Sequence, residues 1–295
     1  MTRWLLTAGV TSLLTGACTD DWQRIQPTNV RQTGAFRSPP LAESSGAVAS
    51  RANPGRFWSL NDSENPATLF LTDTTAAIRG FVRLAGIENI DWEALSAGPC
   101  GSDWCLYVGD IGDNRAVRPS VTIFRVVEPG PAELHARAAT PRDSLVVRYA
   151  ESPTDAESMV VTRAEDIAII TKGRTGRASL YWIGHSAWTV GRATARPIGA
   201  LPIHTSLLLG QLVTDAALSE DEQVLAVRTY RDIYLFRRTA ASRWLPDQPA
   251  GVCPIGGNLT LGEGLAWWDA GTLLLTSEVT RMGPGAVTLL ECRLR

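Results

Sequence analysis

Acidic residues recur at the start of five short apolar segments of this chain, as in Asp91-Trp-Glu93-Ala-Leu and Gly262-Glu263-Gly-Leu-Ala. The five acids that align between the segments are Glu43, Glu93, Glu157, Asp215 and Glu263. Carboxylates that are gathered around one point repel one another, and burial raises their pKa values unless a cation lies among them. Ca²⁺ takes about six to eight oxygen ligands of this type. The five acids are therefore predicted to be metal ligands.

A second set of charged side chains follows the next apolar run after each acid. Its members, predicted to bind a ligand together with the first set, are Asp62, Asp110, Lys172, Arg228 and Glu278. Lys172 is the only lysine of the chain, and with Arg228 it could neutralise the acids. The alternative is structural: the acids would bond to backbone N–H groups of a neighbouring sheet or pair with buried cations.

The spacing of the five acids indicates a repeated unit. Successive acids are 50, 64, 58 and 48 residues apart, which is typical of the four-stranded blades of a β-propeller. Each unit contains two further short runs rich in β-forming residues and a more polar fourth run. We therefore predict an all-β fold, a single β-propeller of five four-stranded blades, with six blades as the alternative.

The last unit ends after its third strand. We expect the segment at about residues 29–37 to supply the missing strand and to close the ring, since closure removes exposed sheet edges.

The N-terminus carries an export signal: one basic residue, a short apolar stretch and small residues before a cysteine. Leu14-Thr15-Gly16-Ala17-Cys18 resembles a bacterial lipobox, which predicts lipidation of Cys18. The alternative is an ordinary signal peptide cut near Ala17. We predict a signal peptide over 1–17, a lipidated tether and closing strand over 18–40 and a propeller domain over 41–295. This organisation implies a membrane-anchored lipoprotein of the bacterial cell envelope that faces the periplasm or the exterior.

Four cysteines remain, and an even number in an exported chain predicts disulfides. A bond between Cys100 and Cys105 would close a short local loop. Cys253 and Cys292 would then close a loop of about 40 residues, which would stabilise the fold by roughly 3–4 kcal/mol. Four cysteines allow three pairings, so the connectivity stays open.

Composition excludes several classes of function. The chain has 295 residues, of which 44% are hydrophobic and 20% charged, and a formal net charge of −2, so nucleic acid is not an expected partner. The three histidines form no zinc-binding pattern, and no GxSxG segment suggests a serine triad. We expect a monomer.

Five segments carry a resemblance to known proteins. They are Trp58-Ser-Leu-Asn-Asp-Ser63, Asp91-Trp-Glu93, Tyr107-Val-Gly-Asp-Ile-Gly-Asp-Asn114, Asp155-Ala-Glu157 and Gly262-Glu-Gly-Leu-Ala266. The chain resembles secreted bacterial β-propellers of the phytase-like and gluconolactonase-like kind, including the SdiA-regulated and esterase-like-phytase groups. The resemblance implies a central acidic face that holds Ca²⁺, where some such proteins hydrolyse phosphate esters or lactones.

Three hypotheses about function follow. The first is a lipid-anchored propeller that binds Ca²⁺ or a small ligand at its acidic axial face. The second is a Ca²⁺-dependent hydrolase of phosphoric esters or lactones. The third is a module that docks a cell-envelope protein through its loops.

Overall fold

Strand follows strand along nearly the whole chain, as the recurring apolar runs predict. The computed structural model describes residues 22–37, 39–134, 139–239, 248–256 and 262–294. The predicted signal peptide, residues 1–17, and Cys18 lie outside these residues, so the leader and the lipid stay predictions. Among the residues described, no helix has both the length and the apolar character needed to cross a bilayer.

The strands form an N-terminal strand and five antiparallel meanders, numbered in chain order. The N-terminal strand is β1 (Thr28–Phe36). Meander 1 consists of β2 (Ser44–Ala49), β3 (Arg56–Asn61), β4 (Thr68–Asp73) and β5 (Ile78–Arg83). Meander 2 consists of β6 (Trp92–Cys100), β7 (Asp103–Asp110), β8 (Val121–Val127) and β9 (Asp143–Tyr149). Meander 3 consists of β10 (Ala156–Val161), β11 (Ile167–Thr171), β12 (Arg177–Ile183) and β13 (Arg192–His204).

The remaining strands complete the ring. Meander 4 consists of β14 (Val213–Leu218), β15 (Val224–Thr229), β16 (Asp232–Arg237) and β17 (Gly251–Pro254). Meander 5 consists of β18 (Gly264–Trp267), β19 (Thr272–Thr276) and β20 (Gly285–Glu291). A helical turn, α1 (Ala187–Val190), lies between β12 and β13.

Hydrogen bonding groups the meanders into four sheets. Meanders 1 and 4 each form a sheet of their own, whereas meanders 2 and 3 share one eight-stranded sheet because β9 and β13 pair in parallel. In meander 5, β1 pairs with β20, which confirms the predicted closure by an N-terminal strand. The blade count stays a prediction, since the eight-stranded sheet can be counted as one unit or as two.

The first strands of the meanders surround the axis of the ring. Each contacts the next in the order β2, β6, β10, β14 and β18, and β18 contacts β2. Burial agrees with this order: all six residues of β10 are buried, whereas the fourth strand β9 alternates between buried and exposed positions. An inner strand has sheets on both of its faces, and an outer strand has one face in water. The all-β propeller fold is thus confirmed.

Apolar side chains fill the spaces between neighbouring meanders. Trp58 of meander 1 and Trp92 of meander 2, both fully buried, belong to one such cluster. Burial of a large apolar side chain stabilises a fold by roughly 1.5–3 kcal/mol, so these layers hold the inner strands in place around the axis.

Two disulfide bonds have the predicted pairing. Cys100 is bonded to Cys105, and Cys253 is bonded to Cys292. The second bond connects β17 with the residue that follows β20, so it joins meanders 4 and 5 covalently. Disulfides are consistent with an extracytoplasmic protein.

Candidate functional site

The candidate site lies at one end of the ring. In every meander the start of the first strand pairs with the end of the second; Trp92 pairs with Asp110, for example, and Ala156 with Thr171. We call the surface formed by the residues at these strand ends the axial face. The two sets of charged residues that the sequence indicated lie at this end of the ring, but only some of them face its axis.

Bulges shape the inner strands where they reach the axial face. The strand pairing skips Glu93 in meander 2 and Glu157 in meander 3, and it skips Ser45 and Thr214 in meanders 1 and 4. A β-bulge leaves one residue unpaired and redirects its side chain. Glu93 and Glu157 therefore occupy equivalent, buried positions near the axis.

The other aligned acids do not share that position. Glu43 lies two residues before the skipped residue of meander 1 and is exposed at the rim, where Asn65 Nδ2 donates a hydrogen bond to its Oε2 at 2.5 Å. Asp215 lies one residue after the skipped residue of meander 4 and is 1% exposed. A difference of one residue sends a side chain to the other face of a strand.

Asp215 bonds to the backbone rather than facing its aligned partners. Its Oδ1 accepts a hydrogen bond from Ala216 N at 2.7 Å, and its Oδ2 accepts one from Leu265 N at 2.6 Å. The second bond ties meander 4 to the inner strand of meander 5. This is the structural role that the alternative interpretation gave to the aligned acids.

Arg228 also joins these two meanders. It is fully buried, and its Nη1 donates to the carbonyl oxygens of Gly264 and Thr276 at 2.6 and 2.7 Å. Its Nε and Nη2 have no hydrogen-bond partner among the described residues. Burial lowers the pKa of Arg228 to about 10, against the attraction of Asp215.

Three acids form a compact group on the axial face, which we call the acidic triad: Asp62, Asp91 and Glu93. One carboxylate oxygen of each lies within 4.8 Å of the others. Asp62 follows the last residue of β3, and the other two flank the start of β6. Gly112 lies against the triad, because a Cβ atom at this position would be only 2.6 Å from Cγ of Asp91 and 2.8 Å from Cγ of Glu93.

Burial raises the pKa values of the acidic triad. The pKa of Asp91 rises to about 6, chiefly through desolvation and then through the charge of Asp62. Desolvation raises the pKa of Glu93 well above its usual range, with a further contribution from Glu157. The pKa of Asp62 also rises through desolvation. A bound cation would offset these electrostatic costs.

Lys172 lies beside the acidic triad and is paired with Glu157. The distance from Nζ to Oε1 is 2.5 Å, and the residues are 8% and 0% exposed. Desolvation raises the pKa of Glu157 to about 8 although Lys172 opposes this rise. Desolvation lowers the pKa of Lys172, but the carboxylates of Glu157 and Glu93 outweigh it and raise the pKa overall, so the lysine stays charged.

A carboxyl pair completes the axial face on the side of meander 5. Glu263 and Glu278 share a side-chain hydrogen bond, and Tyr230 donates its hydroxyl to Glu263 Oε1 at 3.0 Å. Two carboxyl groups can bond to each other only if one keeps a proton. Desolvation and the charge of Glu263 raise the pKa of Glu278 to about 9, so Glu278 is the group that carries it at neutral pH.

Arginines pair with two further acids at the edge of the site. Arg118 Nη2 is 2.6 Å from Asp110 Oδ1, and Arg174 Nε is 2.6 Å from Asp155 Oδ2. Asp110, predicted to bind a ligand, is thus held in an ion pair at 1% exposure.

Sequence reasoning missed two contributors. Tyr230 follows β15 as Asp62 follows β3, so the rule that selected strand ends could have found it. Gly112 gave no signal, because its role depends on a close approach between loops.

Sequence comparisons give no family: no protein-family profile matches the chain, and no curated protein matches it. Solved structures do match. The PQQ-bound aldose sugar dehydrogenase from Streptomyces coelicolor shares 10% identity over 90% of this chain and 98% of its own, with a TM-score of 0.53. This likeness supports the β-propeller fold. It carries no information on activity at so low an identity.

Two other solved structures resemble the chain with lower TM-scores. A gluconolactonase from Xanthomonas campestris shares 13% identity over 90% of this chain and 89% of its own, with a TM-score of 0.47. Virginiamycin B lyase from Staphylococcus aureus shares 11% identity over 88% of this chain and 69% of its own, with a TM-score of 0.42.

Proposed function

We propose that this protein is an exported, lipid-anchored β-propeller that binds Ca²⁺ through the acidic triad. The observation that carries the proposal is the approach of three carboxylate oxygens, from Asp62, Asp91 and Glu93, to within 4.8 Å of one another. Asp215 is no longer among the proposed ligands, because backbone N–H groups occupy both of its oxygens. Glu43, exposed at the rim, is left out as well.

The neighbouring basic residues support this assignment because each of them pairs with an acid outside the acidic triad. Lys172 pairs with Glu157, Arg118 with Asp110 and Arg174 with Asp155. The triad therefore keeps a concentration of negative charge that a divalent cation would neutralise.

The chemistry of the triad favours Ca²⁺ over other metals. Its ligands are oxygens alone, whereas Zn²⁺ prefers histidine and cysteine. They come from two segments that are separate in the chain, and Ca²⁺ tolerates irregular geometry better than Mg²⁺ does. Water or a small ligand would complete the coordination.

The first prediction concerns Ca²⁺ binding. Calorimetric titration of the chelator-treated mature protein with CaCl₂ should show saturable heat, and Glu93→Gln should weaken binding at least about tenfold, since a charged ligand is lost. Glu43→Gln is the matched control and should bind as the unchanged protein does. Absence of heat in the unchanged protein, or equal losses in both variants, would contradict the triad as the site.

The carboxyl pair favours a second candidate function, hydrolysis of a lactone. A cation on the triad would polarise a carbonyl group or acidify a water molecule. Glu278 would donate its proton to the leaving oxygen, while Tyr230 keeps the Glu263 carboxylate oriented. Asp62 contributes to the raised pKa values of Glu263 and Glu278, which supports a short separation between the pair and the triad.

A lactone fits this face better than a polyphosphate. A phytase-like activity needs several cations directed at phosphate groups. Lys172 is paired with Glu157, and Arg228 is fully buried against the carbonyl oxygens of meander 5. Neither of the two cations that the sequence indicated is therefore presented to a large anionic substrate.

The second prediction separates catalysis from binding. With Ca²⁺ present, we expect turnover of glucono-δ-lactone above that of p-nitrophenyl phosphate, and Glu278→Gln should reduce it by about 10²-fold, as loss of a general acid does. The Ca²⁺ affinity of this variant should stay within about twofold of the unchanged protein. Turnover that persists in chelator, or that the variant retains, would exclude this mechanism and leave the binding role.

A further inference from the structure

Three consecutive leucines project into water from the loop that connects β13 to β14. Leu207, Leu208 and Leu209 are 68%, 96% and 54% exposed. We call residues 205–212 the leucine loop. A single exposed leucine is common, but three together form an apolar projection of the kind that marks contact with another surface.

The leucine loop belongs to the rim of the axial face. Arg231 Nη1 donates to Leu209 O at 3.4 Å, and a Cβ atom at Gly210 would lie 3.0 Å from Cγ of Arg231. The preceding residue, Tyr230, is bonded to Glu263 of the carboxyl pair. Whatever covers the leucines therefore also lies beside the site.

The N-terminal segment passes the base of the same loop. The ring of Trp22 stacks on that of His204, with centroids 6.3 Å apart and an angle of 4° between the planes. His204 ends β13, three residues before Leu207. Cys18 precedes Trp22 by four residues, a span of at most about 14 Å in an extended chain. A lipid on Cys18 would emerge close to the leucines.

Exposed arginines adjoin the leucine loop itself. Arg231, which bonds to Leu209 O, is exposed, and so is Arg177, which pairs with His204 at the end of β13. Arginine side chains keep their charge at a headgroup surface while their stems contact apolar matter.

Acids gather on the opposite side of the ring. Glu43, Glu64 and Glu88 are exposed around meander 1. In the cyclic order of the inner strands, β2 lies across from the junction of β10 and β14, where the leucine loop is. An anionic bilayer would therefore attract the side with the leucines and repel the side of meander 1.

We propose that the leucine loop inserts into the bilayer that holds the lipid of Cys18. The axial face then meets the membrane at a tilt, with the leucine loop in the headgroup region and meander 1 raised into water. The inference rests on the proposed lipid anchor. A bilayer is favoured over a protein partner because the lipid of Cys18 and the leucines would lie on the same side of the molecule.

The test uses the mature chain without its lipid, so that the loop alone is measured. In co-sedimentation with vesicles of phosphatidylethanolamine and phosphatidylglycerol, we expect measurable binding of the unchanged chain and a loss of at least about tenfold for Leu207→Ser/Leu208→Ser/Leu209→Ser. Val190→Ser is the control, because Val190 is 64% exposed but follows β12, away from the axial face. It should bind as the unchanged chain does.

Two further measurements keep the result decisive. Thermal melting and Ca²⁺ titration of the triple variant should match those of the unchanged chain, so a failure of the proposed Ca²⁺ site is seen separately. Equal vesicle binding by the triple variant would overturn the proposal. The proposal would also be overturned if the unchanged chain self-associated in sedimentation velocity and the triple variant did not. The leucines would then bind a second copy of the chain.

Discussion

The protein without divalent cations is expected to lose stability as the pH rises from about 5 to about 9. The pKa values of Glu157 and Glu278 are raised to about 8 and about 9 in the folded state, from an ordinary value of 4.5. The folded state therefore binds more protons than the unfolded state in this range. The free energy of unfolding must fall as the pH rises, and the contribution of the protonated groups is complete only below about pH 4.5.

The expected loss is on the order of 5 kcal/mol, because the rise of the Glu157 pKa from 4.5 to about 8 gives this amount at about 1.4 kcal/mol per pKa unit. Screening at the partly exposed Glu278 reduces its share. Asp73, Asp221 and Asp269 have lowered pKa values, but they lose their contribution only below about pH 4, outside this range. Few proteins behave in this way, since maximal stability usually lies between about pH 5 and 8.

Urea unfolding at several pH values measures this effect. Glu278→Gln should flatten the slope at the alkaline end, because the amide does not titrate. Added Ca²⁺ should recover part of the loss at pH 9 if it binds the triad. A free energy of unfolding that is constant or increases from pH 5 to 9 would show that the buried carboxyls ionise without cost.

At pH 9, Lys172→Met is expected to lower the free energy of unfolding by about 4 kcal/mol. Glu157 is ionised above its pKa of about 8, so the change leaves a buried carboxylate without its cation, close to Glu263. Removal of one partner of a buried ion pair typically costs about 3–5 kcal/mol. The double variant Lys172→Met/Glu157→Met should recover much of the lost stability, because apolar replacement of both partners of a buried ion pair is often nearly neutral.

Arg142→Met is the matched control for Lys172→Met. Its partner is Asp103, and the two side chains are 38% and 43% exposed, so a loss of less than about 1 kcal/mol is expected. Denaturant unfolding of all four proteins at pH 9 gives the comparison. If Lys172→Met costs no more than Arg142→Met, the buried pair is not a structural support of the axial face.

The repeat could be derived from the sequence because it depends on local features. Short apolar runs separated by turn residues define strands of about the right length, and their order defines a meander. The closing strand followed from the missing fourth run of meander 5. The parallel pairing of β9 with β13 could not be foreseen, because it joins the outer edges of two neighbouring meanders and involves no local signal.

The acids illustrate the limit of the same reasoning. Alignment made Glu43, Glu93, Glu157, Asp215 and Glu263 equivalent. Only at Glu93 and Glu157 does the acid coincide with the residue that the strand pairing skips. The position of a bulge depends on the pairing of two strands rather than on the type of residue, so the sequence pattern could not separate axial from non-axial acids.

The path of the N-terminal segment determines how the ring would bear a mechanical load. Ile25 N bonds to Val252 O, and Val252 N bonds to Gln23 O, each at 2.8 Å, so this segment is attached to β17 before β1 runs along β20. A pull on the N-terminus is therefore shared between meanders 4 and 5, which Cys253 and Cys292 already hold together. Tension directed along β1 loads its hydrogen bonds in shear, all at once, instead of peeling them apart in turn. A pull applied at that end would therefore have to break many of these hydrogen bonds together before the ring could unwind.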